Sequence, residues 1–271
     1  MIELIAEMLS YKFLVRAASV GLMVSLCSAL LGVSLVLKRY SMVGDGLSHV
    51  GFGALAAAVA MGASPLGLTI PVVVAAAVLL LRLTDGSGIK GDAAIGLISV
   101  SSLAVGVTAI SMSSGFNTDV CNYMFGSILA MSKNDVRLSM ATSAAVLLLF
   151  LLCYNRIFAV TFDENFARAT GLDAGLYNMI IAVLTGVTIA VGMRLMGALL
   201  ISGLIIFPAV TSMRIFRSFR GVVLSAAAVS LSSFLAGLVL SYAAGVPAGA
   251  SIVLVNLAFF FLFAAAGRIR R

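Results

Sequence analysis

The chain has 271 residues, of which 62% are hydrophobic and only 10% are charged. This is more apolar side chain than one soluble core can bury, so the composition excludes a soluble globular protein and indicates a polytopic membrane protein. The net charge of +7 fits the Lys and Arg that membrane proteins keep on their inner loops, and it is no evidence for nucleic-acid binding. No stretch is polar enough for a separate soluble domain, so we expect one transmembrane domain over residues 1–271.

The first segment, MIELIAEMLS, carries Glu3 and Glu7 where a signal peptide needs positive charge. It therefore predicts a short amphipathic helix at the membrane surface rather than a cleaved leader. Apolar runs long enough to cross the membrane then recur along the whole chain, which predicts an all-α protein with about eight to nine transmembrane helices. The nine predicted spans are residues 13–37, 42–61, 66–83, 93–112 and 138–154, two spans within 175–210 divided near Arg194, and 222–243 and 249–266.

The connections between these spans differ in character. The glycine- and charge-rich stretch at residues 82–92 predicts a solvated loop. The apolar piece at residues 121–131 is too short to cross and predicts a helix that lies at the surface or dips into the membrane. Cys27, Cys121 and Cys153 have no CxxC spacing, so we interpret them as small packing residues.

The distribution of positive charge predicts the orientation. Twelve of the 17 Lys and Arg residues fall on one set of alternate loops, together with the C-terminus. By the positive-inside rule these loops are cytoplasmic, so the C-terminus is inside and, with nine spans, the N-terminus is outside. The predicted inner residues are Lys38, Arg39, Arg82, Lys90, Arg156, Arg168, Arg214, Arg217, Arg220, Arg268, Arg270 and Arg271.

The stretch GDGLSHVGFGALA places the chain's single histidine inside the second predicted span. Asp45 and His49 are four residues apart, so on a helix they share one face, with His49 near the middle of the bilayer and Asp45 one turn nearer the inside. An ionisable pair at that depth marks an ion or proton route, although a mutual hydrogen bond that only satisfies two buried groups is the alternative. Gly44, Gly46 and Ser48 are small enough to let neighbouring helices approach closely.

The stretch TFDENFARATGLDAG follows the fifth predicted span on the inner side. Either Thr161 or Asp163 can cap a short helix there, Gly171 can end it, and Glu164 can pair with Arg168 one turn later. A capped helix in an inner loop is a handle for a cytoplasmic partner; an ordinary solvated loop helix is the alternative.

A third stretch, MGALLISGLIIFPAVTSMRIF, contains Pro208 within an apolar run. Proline removes a backbone donor, so it predicts a kink near the cytoplasmic end of that helix, either as a hinge or as a tolerated irregularity.

Taken together, these stretches resemble the membrane permease subunit of metal-uptake ABC transporters of the zinc, manganese and iron type. GDGLSHVGFGALA resembles that family's GD-x-L-(S/A)-H segment, and TDVCNYMFGSIL resembles its L-F-G-S-I-L loop. TFDENFARATGLD resembles its coupling segment, and GALLISGLIIFPAVT its G-x-L-L-x-S-x-L-x-x-x-P-A segment. The resemblance runs from about residue 10 to the C-terminus.

The resemblance implies the type II ABC importer fold and an assembly in the cell membrane. Two permease copies, or this chain and a paralogue, form a pathway; two ATP-binding subunits dock from the cytoplasm; and an external metal-binding lipoprotein delivers the ion. The chain has no G-x-x-x-x-G-K-(S/T) phosphate loop, so ATP is used by a partner subunit, and the chain itself is not an enzyme and binds no cofactor. The coupling residues implied are Thr161, Phe162, Asp163, Glu164, Ala167, Arg168 and Gly171.

In this reading the divalent metal is the substrate, and Asp45 and His49 handle it in transit. In a homodimer the two pairs offer four oxygen and nitrogen groups, which suit Zn²⁺ or Mn²⁺ and also ferrous iron. Gly44, Gly46, Ser48 and Pro208 are expected to serve as packing or hinge residues. Two alternatives stay open: a type II permease for a metal chelate or vitamin, and an ion-coupled secondary transporter.

Overall fold

The structure is a computed structural model, and it describes residues 10–86, 91–112 and 133–269. The regular structure in this part of the chain is all α-helical. The helices are α1 (Lys12–Leu37), α2 (Val43–Ala60), α3 (Pro65–Gly86), α4 (Gly91–Met112), α5 (Lys133–Leu152), α6 (Tyr154–Phe162), α7 (Glu164–Ala169), α8 (Ala174–Met196), α9 (Ala198–Ser212), α10 (Phe219–Ala244) and α11 (Ala248–Ile269).

Eight of the described helices are long and apolar enough to cross a membrane. They are α1 to α5, α8, α10 and α11, and α9 is a shorter apolar helix of 15 residues between them. The predicted all-α membrane fold with about eight to nine spans is therefore confirmed, and the ninth predicted span is α9. At ~1.5 Å per residue α9 covers only ~22 Å, less than the ~30 Å of hydrocarbon.

The predicted division near Arg194 is wrong by a few residues. Helix α8 continues through Arg194 to Met196, and the chain turns at Gly197, whose φ of 83° favours glycine. Arg194 can stay inside the helix because its guanidinium lies 3.0 Å from the carboxylate of Asp135 at the start of α5. The charge is paired with an acid, so it does not mark a turn.

The other predicted turns lie where Gly and Pro indicated. Gly62 follows α2 with a φ of 66°, and Pro65 is the first residue of α3. Gly245 ends α10 in the left-handed conformation with a φ of 65°. The loop predicted from residue 82 begins later, because α3 keeps its helical turns through Gly86.

Helices α1, α2 and α8 form the centre of the molecule and are buried over most of their length. Helix α1 packs against α8, α9 and α10, and α2 packs against α3, α4 and α9. Helices α3, α4, α5 and α11 lie outside them and have fewer than a third of their residues buried. Cys27 is buried and Cys153 half-buried, and both are free thiols; Cys121, the predicted surface helix at 121–131 and the segment before residue 10 lie outside the described residues.

Several connections gather on one face of the molecule. We call this the Lys38 face; it comprises the turn at residues 38–42, helix α7, the turn at residues 213–218 and the C-terminal end of α11. These elements are joined by contacts of Lys38 with Glu164, of Phe158 with Phe219, and of Gly267 with the Arg214 carbonyl. The Arg194–Asp135 pair lies at the other end of α8.

Candidate translocation and coupling sites

Helix α2 is buried along its first four turns except at two positions. Of the residues from Val43 to Ala56, only Asp45 and His49 are not buried. Their side chains are 47% and 26% exposed, respectively, in the single chain. The two polar residues therefore form an uncovered strip on a helix that the rest of the protein encloses.

The two side chains are close but do not form a hydrogen bond. The distance from His49 Nε2 to Asp45 Oδ2 is 3.8 Å, which is longer than a hydrogen bond allows. A role of the pair in ion passage remains a prediction.

The pair lies toward the end of α2 that joins the Lys38 face. Helix α2 begins at Val43, so His49 is six residues, or ~9 Å, from its start. Asp45 lies in the first turn of the helix, where the positive end of the helix dipole favours a carboxylate.

Close helix packing fixes the position of α2. A Cβ atom at Gly46 would lie 2.6 Å from the Ile95 side chain, and one at Gly53 would lie 2.5 Å from the Ser102 carbonyl oxygen, both on α4. The Ser48 hydroxyl donates to the Gly44 carbonyl at 2.7 Å and so is satisfied within the helix. These small residues let α4 and α9 enclose the back of α2 while the Asp45–His49 strip stays open.

A single chain supplies few metal ligands in this region. In residues 10–86, 91–112 and 133–269, no three His, Cys, Asp or Glu side chains are close enough together to hold a metal ion. One chain thus offers one carboxylate and one imidazole at the strip. Any further ligands would have to come from outside the described residues, from another chain or from water.

The predicted coupling segment forms two helices rather than one. Asp163 separates α6 from α7, and its carboxylate accepts a hydrogen bond from the Phe166 amide at 2.9 Å. Asp163 is therefore the cap, whereas Thr161 lies inside α6 and is buried. Gly171 follows α7 with a φ of 85°, and its amide donates to the Arg168 carbonyl, as expected for a helix end.

The residues of the coupling segment point in different directions. Ala167 is fully buried and packs with Val160, Ala174 and Tyr177 in a small cluster apart from the main core. Phe162, in contrast, is 74% exposed and Phe166 65% exposed. The sequence had indicated Phe162 but not Phe166, although the spacing of four residues between the two phenylalanines was available as a signal.

Glu164 makes the predicted pair with Arg168 at 2.7 Å, but it also bonds toward the protein interior. Lys38 Nζ lies 3.2 Å from Glu164 Oε2 and donates to Asn178 Oδ1 at 2.7 Å, and Asn178 Nδ2 donates to Glu164 Oε2 at 3.1 Å. Burial acts to raise the pKa of Glu164, but the hydrogen bonds from Asn178 and Lys38 outweigh it, so the pKa lies below its ordinary value of 4.5. Sequence reasoning missed this network.

Pro208 lies inside α9, which continues for four residues beyond it. The residue is buried among the core side chains. The helix is thus not interrupted at the proline, and a hinge there remains a prediction.

The eight long apolar helices of the described residues define a multi-pass membrane protein. Residues 10–267 match the model of the ABC 3 transport family, and the chain belongs to that family. This confirms the resemblance drawn from the sequence motifs.

Three similar proteins illustrate the relationship. The manganese transport system membrane protein MntC of Halalkalibacterium halodurans is 28% identical over 260 residues, covering 94% of this chain and 89% of that protein. The high-affinity zinc uptake system membrane protein ZnuB of Haemophilus influenzae is 28% identical over 93% of this chain and 97% of its own length. The structure of PsaBC from Streptococcus pneumoniae in complex with Fab superimposes with a TM-score of 0.86 at 29% identity, covering 97% of this chain and 95% of the matched one.

Proposed function

We propose that this chain is the transmembrane subunit of an ATP-driven importer that moves a divalent transition metal from an external binding protein to the cytoplasm. The observation that carries the proposal is the Asp45–His49 strip, which alone stays uncovered on the buried part of α2. An oxygen and a nitrogen ligand together suit Zn²⁺ and Mn²⁺, and Fe²⁺ as a third candidate. The manganese and zinc systems among the similar proteins support the same substrates.

In this proposal the ion is held in transit rather than stored. One chain provides two ligands, and a second permease copy or a paralogue facing the strip would provide two more. A site shared between two subunits opens when they separate, so the ion can leave, whereas four ligands in one rigid chain would retain it.

The Lys38 face is the cytoplasmic side in this proposal, with the C-terminus inside and the protein in the cell membrane. Six of the described residues that were predicted to be inside lie on that face, as the positive-inside rule requires: Lys38, Arg39, Arg168, Arg214, Arg217 and Arg268. An ion from outside therefore reaches His49 before Asp45.

The segment formed by α6 and α7 is the docking site for the ATP-binding subunits. Phe162 and Phe166 expose apolar rings on the Lys38 face, where an uncovered aromatic pair is expected to insert into a partner. Arg168 adds a positive charge with a side chain 62% exposed. Thr161 and Ala167 are buried, so they support the segment from within, and Asp163 and Gly171 set its two ends.

Metal uptake by cells tests the role of the strip. Asp45→Ala and His49→Ala should each lower accumulation of radiolabelled Zn²⁺ or Mn²⁺ by at least roughly ten-fold, since even the loss of a group that supports a ligand costs that much affinity. The assay uses cells that express the chain together with its ATP-binding and metal-binding subunits. Asp92→Ala is the matched control, because Asp92 is an exposed acid in the first turn of the neighbouring helix α4.

The amounts of each variant in the membrane and of copurified ATP-binding subunit are measured alongside. Normal uptake by both strip variants would contradict the proposal. If uptake needs no ATP-binding subunit and stops when ion gradients are dissipated, the chain is a secondary transporter. If the cells take up a metal chelate or a vitamin instead of the free ion, the chain is a type II permease for that substrate.

A further inference from the structure

Lys38 joins the end of α1 to the docking segment through the interior of the protein. Its ammonium group bonds to Glu164 on α7 and to Asn178 on α8, and Asn178 bonds to Glu164, so the three side chains form a closed triangle. The Lys38 side chain is only 11% exposed, and Asn178 is 6% exposed. In sequence, Lys38 is separated from Glu164 by 126 residues.

Because Lys38 is buried, the loss of its partners would cost much free energy. A cation removed from water and left without partners costs far more free energy than an exposed one. If α7 moves, either Lys38 and the end of α1 follow it, or the ammonium group loses its carboxylate partner while still largely buried. The exposed bond between Glu164 and Arg168 imposes no such constraint, because both residues belong to α7 and move together.

A firm turn connects Lys38 to α2. The Tyr40 amide donates to the Leu35 carbonyl at 2.8 Å, and the Val43 amide donates to the Tyr40 carbonyl at 3.1 Å. Between them, Arg39 has a φ of 63°, a conformation that non-glycine residues adopt only where the surrounding structure fixes it. The turn therefore passes a displacement of Lys38 on to the start of α2, where Asp45 lies in the first turn.

The space next to this turn allows such a displacement. A cavity of about 40 Å³ lies between α1, α2, α3 and α8, and both Lys38 and Val43 line it. Close-packed helices resist sliding, but the cavity beside Val43 leaves space into which the first turn of α2 can shift.

From these observations we infer that Lys38 is a positioning residue that couples movement of the docking helix α7 to the Asp45–His49 strip. The inference rests on the proposed function, because it assumes that ATP-binding subunits move α7 and that the strip handles the metal. It assigns to Lys38 a role in energy coupling, through Glu164 and without contact to metal or ATP.

The test measures metal moved per ATP hydrolysed by the purified complex of this chain with its ATP-binding subunits in liposomes. Lys38→Met keeps the length of the side chain and removes the charge, and it should lower this ratio by roughly three- to thirty-fold, the usual range for residues that couple two sites. ATP hydrolysis itself should continue. Arg137→Gln is the control, because it removes an exposed cation near the start of α5, at the other end of the molecule, and its ratio should stay within about two-fold of the wild type.

A charge exchange provides a second, independent measurement. Lys38→Glu combined with Glu164→Lys restores an ion pair between α1 and α7, and Asn178 can still bond to both groups because it carries a donor and an acceptor. The double variant should recover the ratio that Lys38→Met loses. If Lys38→Met does not assemble with the ATP-binding subunits, the double variant decides the question by itself.

Different outcomes separate the inference from the proposed function. A wild-type complex that hydrolyses ATP but moves no metal overturns both. The coupling role alone is overturned if the wild-type complex moves metal and Lys38→Met leaves the ratio of metal moved to ATP hydrolysed unchanged. It is also overturned if an assembled double variant does not recover that ratio. A lower melting temperature with both rates reduced equally would show that Lys38 is merely structural and would also overturn it.

Discussion

Replacement of Gly53 by alanine should destabilise the protein, because α2 and α4 are in backbone contact at this point. A Cβ atom on Gly53 would lie 2.5 Å from the Ser102 carbonyl oxygen and 3.2 Å from its carbon. An ordinary contact needs about 3.4 Å, so the two helices would have to separate by nearly 1 Å. Gly106 on α4 is also in close contact, since a Cβ there would lie 2.9 Å from the Gly53 Cα. Overpacking of this kind costs about 1–3 kcal/mol.

Gly96 on α4 offers a matched control for the same substitution. A Cβ there would meet nothing within 4 Å, so Gly96→Ala only removes backbone freedom and should stabilise the helix by about 0.5–1 kcal/mol. Reversible unfolding in mixed micelles should therefore separate the two variants by at least about 1.5 kcal/mol, with opposite signs relative to the wild type. A Gly53→Ala protein as stable as the wild type would refute the packing argument.

Two further predictions concern α7. Because the pKa of Glu164 is lowered in the folded protein, its stabilising contribution is complete above pH 4.5 and is lost as the pH falls through the folded pKa. The melting temperature should therefore fall less steeply with falling pH in Glu164→Gln than in the wild type. Identical slopes of melting temperature against pH would contradict the lowered pKa of Glu164. Phe166→Ser should weaken copurification of the ATP-binding subunit several-fold, as loss of a central apolar contact does. Asn165→Ser is the control, because Asn165 is exposed and next to Phe166, and it should not weaken copurification. Equal copurification of the two variants would exclude docking through the aromatic rings.

The helices themselves were predictable because the membrane imposes a simple rule. Any segment that crosses hydrocarbon must be long, apolar and internally hydrogen-bonded, so apolar length finds α1 to α5, α8, α10 and α11. Gly62, Pro65 and Gly245 then locate turns, because their backbone preferences are local. Arg194 misled the prediction, since a charge in an apolar run resembles a loop unless its partner is known. That partner, Asp135, is 59 residues away in sequence.

The site was predictable only in part, for the same reason. Asp45 and His49 lie on one helix face by spacing alone, whereas their exposure depends on which neighbours cover the rest of α2. The choice between Thr161 and Asp163 as the cap needed the position of the break between α6 and α7. Lys38 looked like one of many positive charges at a membrane edge, and nothing local links it to Glu164.

The shortness of α9 constrains how the chain can enter the membrane during synthesis. Its 15 residues are too few to cross the hydrocarbon as an independent unit, and one residue, Gly197, separates it from α8. Helices α1, α2 and α8, which it contacts, are made before it, and α10 and α11 after it. Part of the packing surface for α9 is therefore made before it and part after it, so its place in the membrane depends on both sets of helices rather than on its own length.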